Sequence, residues 1–180
     1  QGNAVARAVD HYLRTGEMMP KDGLNTLADH DAILLGAVGF PSVPDHVSLW
    51  GLLLPTRKTF DQYINLRPVR LLAGVPGPLR DKGPADIDIV CIRENTEGEY
   101  SGVGGRVHVH TDHEVAMQTT VFTRRGVERV QRYAFELARK RPRHQLASVT
   151  KSNAMQYAMV FWDEVYHELQ ADYPDVACRQ

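Results

Sequence analysis

One hundred and eighty residues make one good-sized domain or two small ones. Apolar residues are 43% of the chain and charged residues 24%, a globular composition that excludes wholesale disorder. With 21 Lys+Arg against 22 Asp+Glu, the net charge of −1 gives no electrostatic reason to expect nucleic acid or an anionic membrane as partner. No apolar run approaches the roughly 18 residues of a membrane span. Two cysteines, Cys91 and Cys178, are too few for a disulfide framework or a thiolate zinc site, and a reducing, cytoplasmic setting fits best.

The chain opens inside an apolar-periodic stretch: Val5, Ala8, Val9, Tyr12 and Leu13 fall at helical spacing, and a stop is expected at Thr15-Gly16. No signal-peptide pattern opens it, and both ends look cut, as in an internal piece of a longer protein. After Asp31 comes a continuous apolar run, Ala32 to Val38, which reads as a strand buried on both faces of a parallel sheet. A loop rich in Pro and Asp follows, up to His46. Leu52-Leu53-Leu54-Pro55 then leads into a short helix over 56–64, because Pro suits a first helical turn. Asn65 to Leu72 reads as extended, and the stretch 74–86, with Pro76, Pro78, Pro84 and three glycines, as loop. Ile87 to Ile92 reads as a second buried strand.

The texture then changes. The segment 97–105 is Gly-rich and polar, read as a loop. From Glu114 to Thr123 apolar and polar residues alternate with neither face purely polar, so this strand is expected to have company on both sides. Val127, Val130, Ala134, Leu137 and Ala138 mark an amphipathic helix over 124–140. A short strand over 145–150 precedes another helix. That helix is capped by Ser152 or Asn153 and buries Ala154, Tyr157, Ala158, Phe161, Val165 and Leu169. Val176-Ala177-Cys178 begins a last strand. Strand–helix alternation with a β insertion indicates an α/β fold with a parallel or mixed sheet.

The familiar nucleotide fingerprints are missing: Gly102-Val103-Gly104-Gly105 breaks the dinucleotide spacing, and there is no phosphate-binding P-loop. His108, His110 and His113 lie in a polar loop without a convincing metal spacing. What remains are arginines beside apolar elements: Arg57 on the short helix, Arg67 in the extended piece, and Arg93 at the end of the second strand. Ligands bind at strand ends in open α/β sheets, and a guanidinium offers a planar fork to a carboxylate. Any one of these arginines alone reads equally as a surface ion pair. Three that converge suggest a substrate with more than one carboxylate. Lys151, at a strand–helix junction, is either a desolvated base or clamp, or simply solvated. Tyr100 is either a proton donor or a packing residue.

The run Ile92-Arg93-Glu94-Asn95-Thr96-Glu97-Gly98-Glu99-Tyr100-Ser101-Gly102 resembles the signature of the β-decarboxylating 2-hydroxyacid dehydrogenases. That family includes isocitrate, isopropylmalate, tartrate and D-malate dehydrogenases. Arg57-Lys58, Asn65-Leu66-Arg67-Pro68 and Thr150-Lys151-Ser152-Asn153 stand in the family's order and spacing. The stretch Val43 to Pro55 around Trp50, with Phe60-Asp61-Gln62-Tyr63 and Val160 to Val165, is most similar to the tartrate and D-malate group.

The resemblance implies an α/β, isopropylmalate-dehydrogenase-like two-domain fold, incomplete here, with a β arm for dimerisation. Residues 1–66 would be part of a discontinuous first domain. Residues 67–180 would be most of the second, with the arm at 97–122. Arg57, Arg67 and Arg93 would grip the substrate carboxylates, and Leu53 would line the pocket for the distinguishing substituent. Tyr100 would protonate the carbon left after CO2 departs. Lys151, supplied across the homodimer, would take the hydroxyl proton, and Asn153 would lie near the nicotinamide of NAD. Mg2+ or Mn2+ would assist, with ligands expected outside this segment. The implied activity is oxidative decarboxylation of a 2-hydroxy dicarboxylate. Isopropylmalate or isocitrate as substrate, a truncated non-catalytic dimerising piece, and a generic anion-binding module are the alternatives.

Overall fold

A computed structural model describes residues 8–180, so Val5 lies outside the described residues. The chain divides into two compact units, Gln1–Gln62 and Tyr63–Gln180.

In the first unit, helix α1 (Ala8–Thr15) stops where expected. Gly16 takes φ +79°, which a residue without Cβ adopts freely, and its amide bonds the Tyr12 carbonyl at 2.8 Å. A further short helix, α2 (Gly23–Ala28), has no strong sequence signal. The apolar run 32–38 is not a strand: Leu34 is 100% exposed, and nothing among the described residues pairs with the run. A strand of this composition needs a neighbour on each side to bury its faces. Without one, apolarity alone does not hold it extended.

The loop expected up to His46 ends earlier. Asp45–Ser48 (α3), a π-helical turn over Leu49–Leu53 and Leu54–Thr59 (α4) run on without a break. Asp45 places negative charge in the first turn. Pro55 is tolerated inside this run because the turn before it is widened: the Leu54 amide reaches back to Leu49. The helix ends at Thr59 rather than Ile64, because Asp61 flips to φ 45° and the Gln62 amide returns to the Arg57 carbonyl at 2.8 Å. Among the described residues of this unit, Met18, Val43 and Leu54 are the buried apolar side chains.

The second unit holds three two-stranded sheets among the described residues. Strands β1 (Ile64–Arg70) and β2 (Asp88–Glu94) form an antiparallel ribbon. No residue of β2 is fully buried, three being exposed and four half-buried, because the strand has one neighbour and not two. The glycine-rich segment read as loop is strand β3 (Gly98–Val107), paired antiparallel with β4 (Val115–Val121). The hairpin ladder overrides glycine's weak strand preference. Among the described residues the far end of this hairpin has no company: Met117 is 58% exposed, with Val103, Val107 and Val115 also open, whereas its base, at Gly98, Tyr100 and Val121, is buried or half-buried. Strands β5 (Gln145–Ala147) and β6 (Ala177–Arg179) are the parallel pair that the alternation anticipates.

Helix α5 (Arg124–Lys140) is capped by Thr123, whose hydroxyl accepts from the Gly126 amide at 3.0 Å. It packs on α6 (Ala158–Gln170) through a core of Val127, Phe135, Ala138, Val165, Tyr166, Leu169, Tyr173 and Val176. Phe135, fully buried, stacks against Tyr166 at 5.3 Å and Tyr173 at 4.7 Å between ring centres. Helix α6 begins later than expected, and neither Ser152 nor Asn153 caps it. The Lys151 carbonyl instead accepts from the Ala154 and Met155 amides, closing a separate turn that leaves Tyr157 82% exposed.

Candidate active site

Alternate residues of a strand share a face. The ladder pairs Asn65 with Arg93, so Asn65 and Arg67 of β1 lie on the same face of the ribbon as Arg93 of β2, and Asn95 continues that face just past the strand end. The side chains join in a row. Arg67 Nε donates to Asn65 Oδ1 at 3.0 Å, and Asn65 Nδ2 donates to Asn95 Oδ1 at 3.4 Å. Arg93 Nη2 donates to the same Asn95 oxygen at 3.2 Å. Asn95 is only 4% exposed. The Arg93 guanidinium lies over the Tyr100 ring, 5.3 Å from its centre. Tyr100 sits where the β3–β4 register slips between Gly98 and Val103, the kind of irregularity that re-aims a side chain.

The turn between β2 and β3 is built by the acidic residues of the motif. The Glu94 carboxylate accepts from the Thr96 amide at 3.0 Å, the Thr96 hydroxyl at 2.7 Å and the Glu97 amide at 2.7 Å. Glu97 reaches across to the start of α5, accepting from the Thr123 amide at 2.9 Å and hydroxyl at 2.6 Å. A carboxylate there also faces the positive end of the helix. Gly126 leaves room for this carboxylate, since a Cβ there would press on it and force Glu97 to shift. Arg129 of α5 donates to the Thr96 hydroxyl at 3.2 Å and stacks over Tyr63, 4.2 Å from the ring centre. Glu94 and Glu97 therefore hold the turn that places Arg93 and Tyr100.

Of the residues singled out from sequence, Arg67, Arg93 and Tyr100 come together in the second unit. Lys151 and Asn153 are exposed on the turn before α6, with no hydrogen bond or ion pair to those three among the described residues. The desolvated lysine is thus not realised in the single chain. Leu53 and Arg57 belong to the first unit, both half-buried: Leu53 closes the π-helical turn, and Arg57 lies in the last turn of α4. Asn65, Asn95, Tyr63 and Arg129 were not singled out. The signal was present for two of them, since Asn65-x-Arg67 and Arg93-x-Asn95 carry the two-residue strand period.

His108 and His110 both adopt positive φ on the connection between β3 and β4, and His113 lies 3.6 Å from Asp112. Among the described residues no group of three His, Cys, Asp or Glu could hold a metal ion. Asn153, exposed on its turn, does not amount to a cradle for a dinucleotide. No described helix is long and apolar enough to cross a membrane.

A family model for isocitrate/isopropylmalate dehydrogenase matches residues 3–180. The chain belongs to this family. A D-malate dehydrogenase [decarboxylating] of Escherichia coli K12 is 56% identical over 168 residues, covering 93% of this chain and 46% of that protein. A probable tartrate dehydrogenase/decarboxylase of Agrobacterium vitis is 54% identical over 167 residues, covering 93% and 47%. The crystal structure of isocitrate dehydrogenase from Methylococcus capsulatus superposes with a TM-score of 0.74 at 25% identity, over 96% of this chain and 48% of that one. The chain spans about half the length of the relatives it matches. The isopropylmalate-dehydrogenase-like α/β fold is therefore present, and incomplete.

Proposed function

We propose that the complete protein carrying this sequence oxidises a 2-hydroxy dicarboxylate such as D-malate or tartrate with NAD, releasing the β-carboxylate as CO2. The observation that carries this reading is the face of the β1–β2 ribbon: two guanidinium groups, held by neutral amides, beside a phenol. The names of the most similar relatives favour D-malate or tartrate over isocitrate or isopropylmalate.

Arg67 and Arg93, joined by Arg57, hold the two carboxylates and orient C2. Lys151 accepts the hydroxyl proton as hydride leaves C2. Cationic side chains stabilise the negative charge that develops as the carbon–carboxylate bond breaks. Tyr100 then returns a proton to the carbon. NAD as hydride acceptor, with Asn153 near its nicotinamide, and Mg2+ or Mn2+ rest on the family alone, the metal ligands lying outside this segment. Leu53 lines the substituent pocket.

Residues 1–66 form part of the first domain and 67–180 most of the second. The arm over 97–122 pairs with its twin in a homodimer, a role supported by the apolar side chains it leaves open. Lys151 acts from the partner subunit, in keeping with its exposed place on this chain. Two free thiols fit a cytoplasmic enzyme. The 180-residue piece alone is inactive and at most dimerises. This second reading is favoured by the chain spanning about half the length of the relatives it matches.

The test is NAD reduction by the complete protein with D-malate and with tartrate in the presence of Mg2+ or Mn2+. Turnover with stoichiometric CO2 is expected. No NADH with any 2-hydroxy dicarboxylate contradicts the reading.

A further inference from the structure

We propose that Asn95, together with Asn65, is a positioning residue: a neutral amide brace that fixes Arg67 and Arg93 relative to each other while leaving their charge for the ligand. This rests on the reading of that ribbon face as the dicarboxylate site.

Guanidinium groups only donate hydrogen bonds, so each amide must turn its oxygen toward an arginine. Asn65 gives its oxygen to Arg67 and has its NH2 left over, and that NH2 donates to the Asn95 oxygen. The same oxygen accepts from Arg93. The row Arg67–Asn65–Asn95–Arg93 is thus continuous, with both amide orientations set by chemistry. Asn95 is buried, so the brace has little freedom to swing out.

The choice of amide over carboxylate is the informative part. Other arginines of the same unit are matched by acids: Arg70 with Asp88, Arg124 with Glu168, Arg132 with Glu128, Arg139 with Asp175. Neither Arg67 nor Arg93 has an ion pair among the described residues, and Arg93 Nε is buried without a hydrogen-bond partner. A carboxylate at position 95 would keep the acceptor but compete with the ligand for both arginines.

The brace predicts a rank order that a merely structural role reverses. Asn95→Asp is close in shape and keeps an acceptor, so a structural role makes it milder than Asn95→Ala. A neutral brace makes it worse. Calorimetric binding of D-malate to the complete protein is expected to weaken about ten-fold in Asn95→Ala, as for loss of a hydrogen bond to a charged group. It is expected to weaken several times further in Asn95→Asp, with the KM for NAD within about two-fold of wild type in both. Asn95→Asp binding as well as or better than Asn95→Ala overturns the proposal. Where the position-95 variants do not fold, Asn65→Ala, at a half-buried site, removes both the acceptor of Arg67 and the donor to Asn95 and is expected to weaken D-malate binding about ten-fold with the KM for NAD within about two-fold; unchanged D-malate binding overturns the proposal. Wild-type protein that binds D-malate without turning it over defeats the dehydrogenase reading, yet the rank order still decides the brace. Wild-type protein that binds neither D-malate nor tartrate overturns both.

Discussion

Four arginines on and just after α5, and two on the β1–β2 ribbon, Arg67 and Arg93, are the same residue type used in opposite ways; Arg70, also on the ribbon, pairs with Asp88 and belongs with the first set. On and just after the helix, Arg124 meets Glu168 at 2.6 Å, Arg132 meets Glu128 at 2.9 Å, Arg139 meets Asp175 at 2.8 Å, and Arg141 meets Asp88 at 2.9 Å. These charges are matched within the fold. On the ribbon, Arg67 and Arg93 are held by amide oxygens, which orient a guanidinium without neutralising it. Matched arginines join elements together, and unmatched but oriented ones are ready for an anion. Counting arginines in a sequence cannot separate the two uses. The partner does.

The largest expected effect follows at Arg93. In the complete protein, Arg93→Lys keeps the charge but loses the planar fork and its bond to Asn95, and kcat/KM for the dicarboxylate is expected to fall by about a hundred-fold or more. A fall below five-fold would place Arg93 with the helix arginines. Next comes stability, which the comparison assigns to the apolar seam between α5 and α6. Phe135→Ala, at a side chain with 0% exposure between two tyrosines, is expected to cost about 3–5 kcal/mol in denaturant unfolding. By contrast Arg139→Ala removes an exposed pair and is expected to cost at most about 1 kcal/mol, with kcat/KM within two-fold. A larger loss of activity than of stability there would break the distinction.

The smallest effect is a pH dependence. Asp88 is held below the ordinary carboxylate range, chiefly by its hydrogen bond to Arg141, with Arg70 adding charge. A carboxyl lowered by folding stabilises the fold above its unfolded pKa, and that contribution disappears as pH falls through the folded value. Asp88→Asn should therefore flatten the acid limb of a stability–pH curve below about pH 4 and leave it parallel to wild type near neutrality.

Elements with strong local signals were legible in the sequence. The end of α1 follows from Gly16, α5 from its apolar stripe and Thr123, and β1 and β4 from their extended patterns. The signature around Arg93 disclosed the family. What was not legible depended on neighbours. The run 32–38 has strand composition but nothing beside it, whereas glycine-rich β3 is a strand because β4 supplies a ladder. The helix across Pro55 needs a widened turn that no propensity rule anticipates. At the site, the arginines and Tyr100 stood out by type. Asn65 and Asn95 did not, although each stands one strand period from an arginine; what the register adds is that the two Asn–Arg pairs share one face.

The most direct measurement compares calorimetric binding of D-malate and D-lactate, a 2-hydroxy acid with one carboxylate fewer, to the complete protein and to its Arg93→Ala variant. Unspent guanidinium charge on the ribbon predicts that D-malate binds at least about ten-fold more tightly than D-lactate in wild type, and that the preference collapses in the variant. Equal affinity for the two acids, or a preference that survives loss of Arg93, would contradict the account.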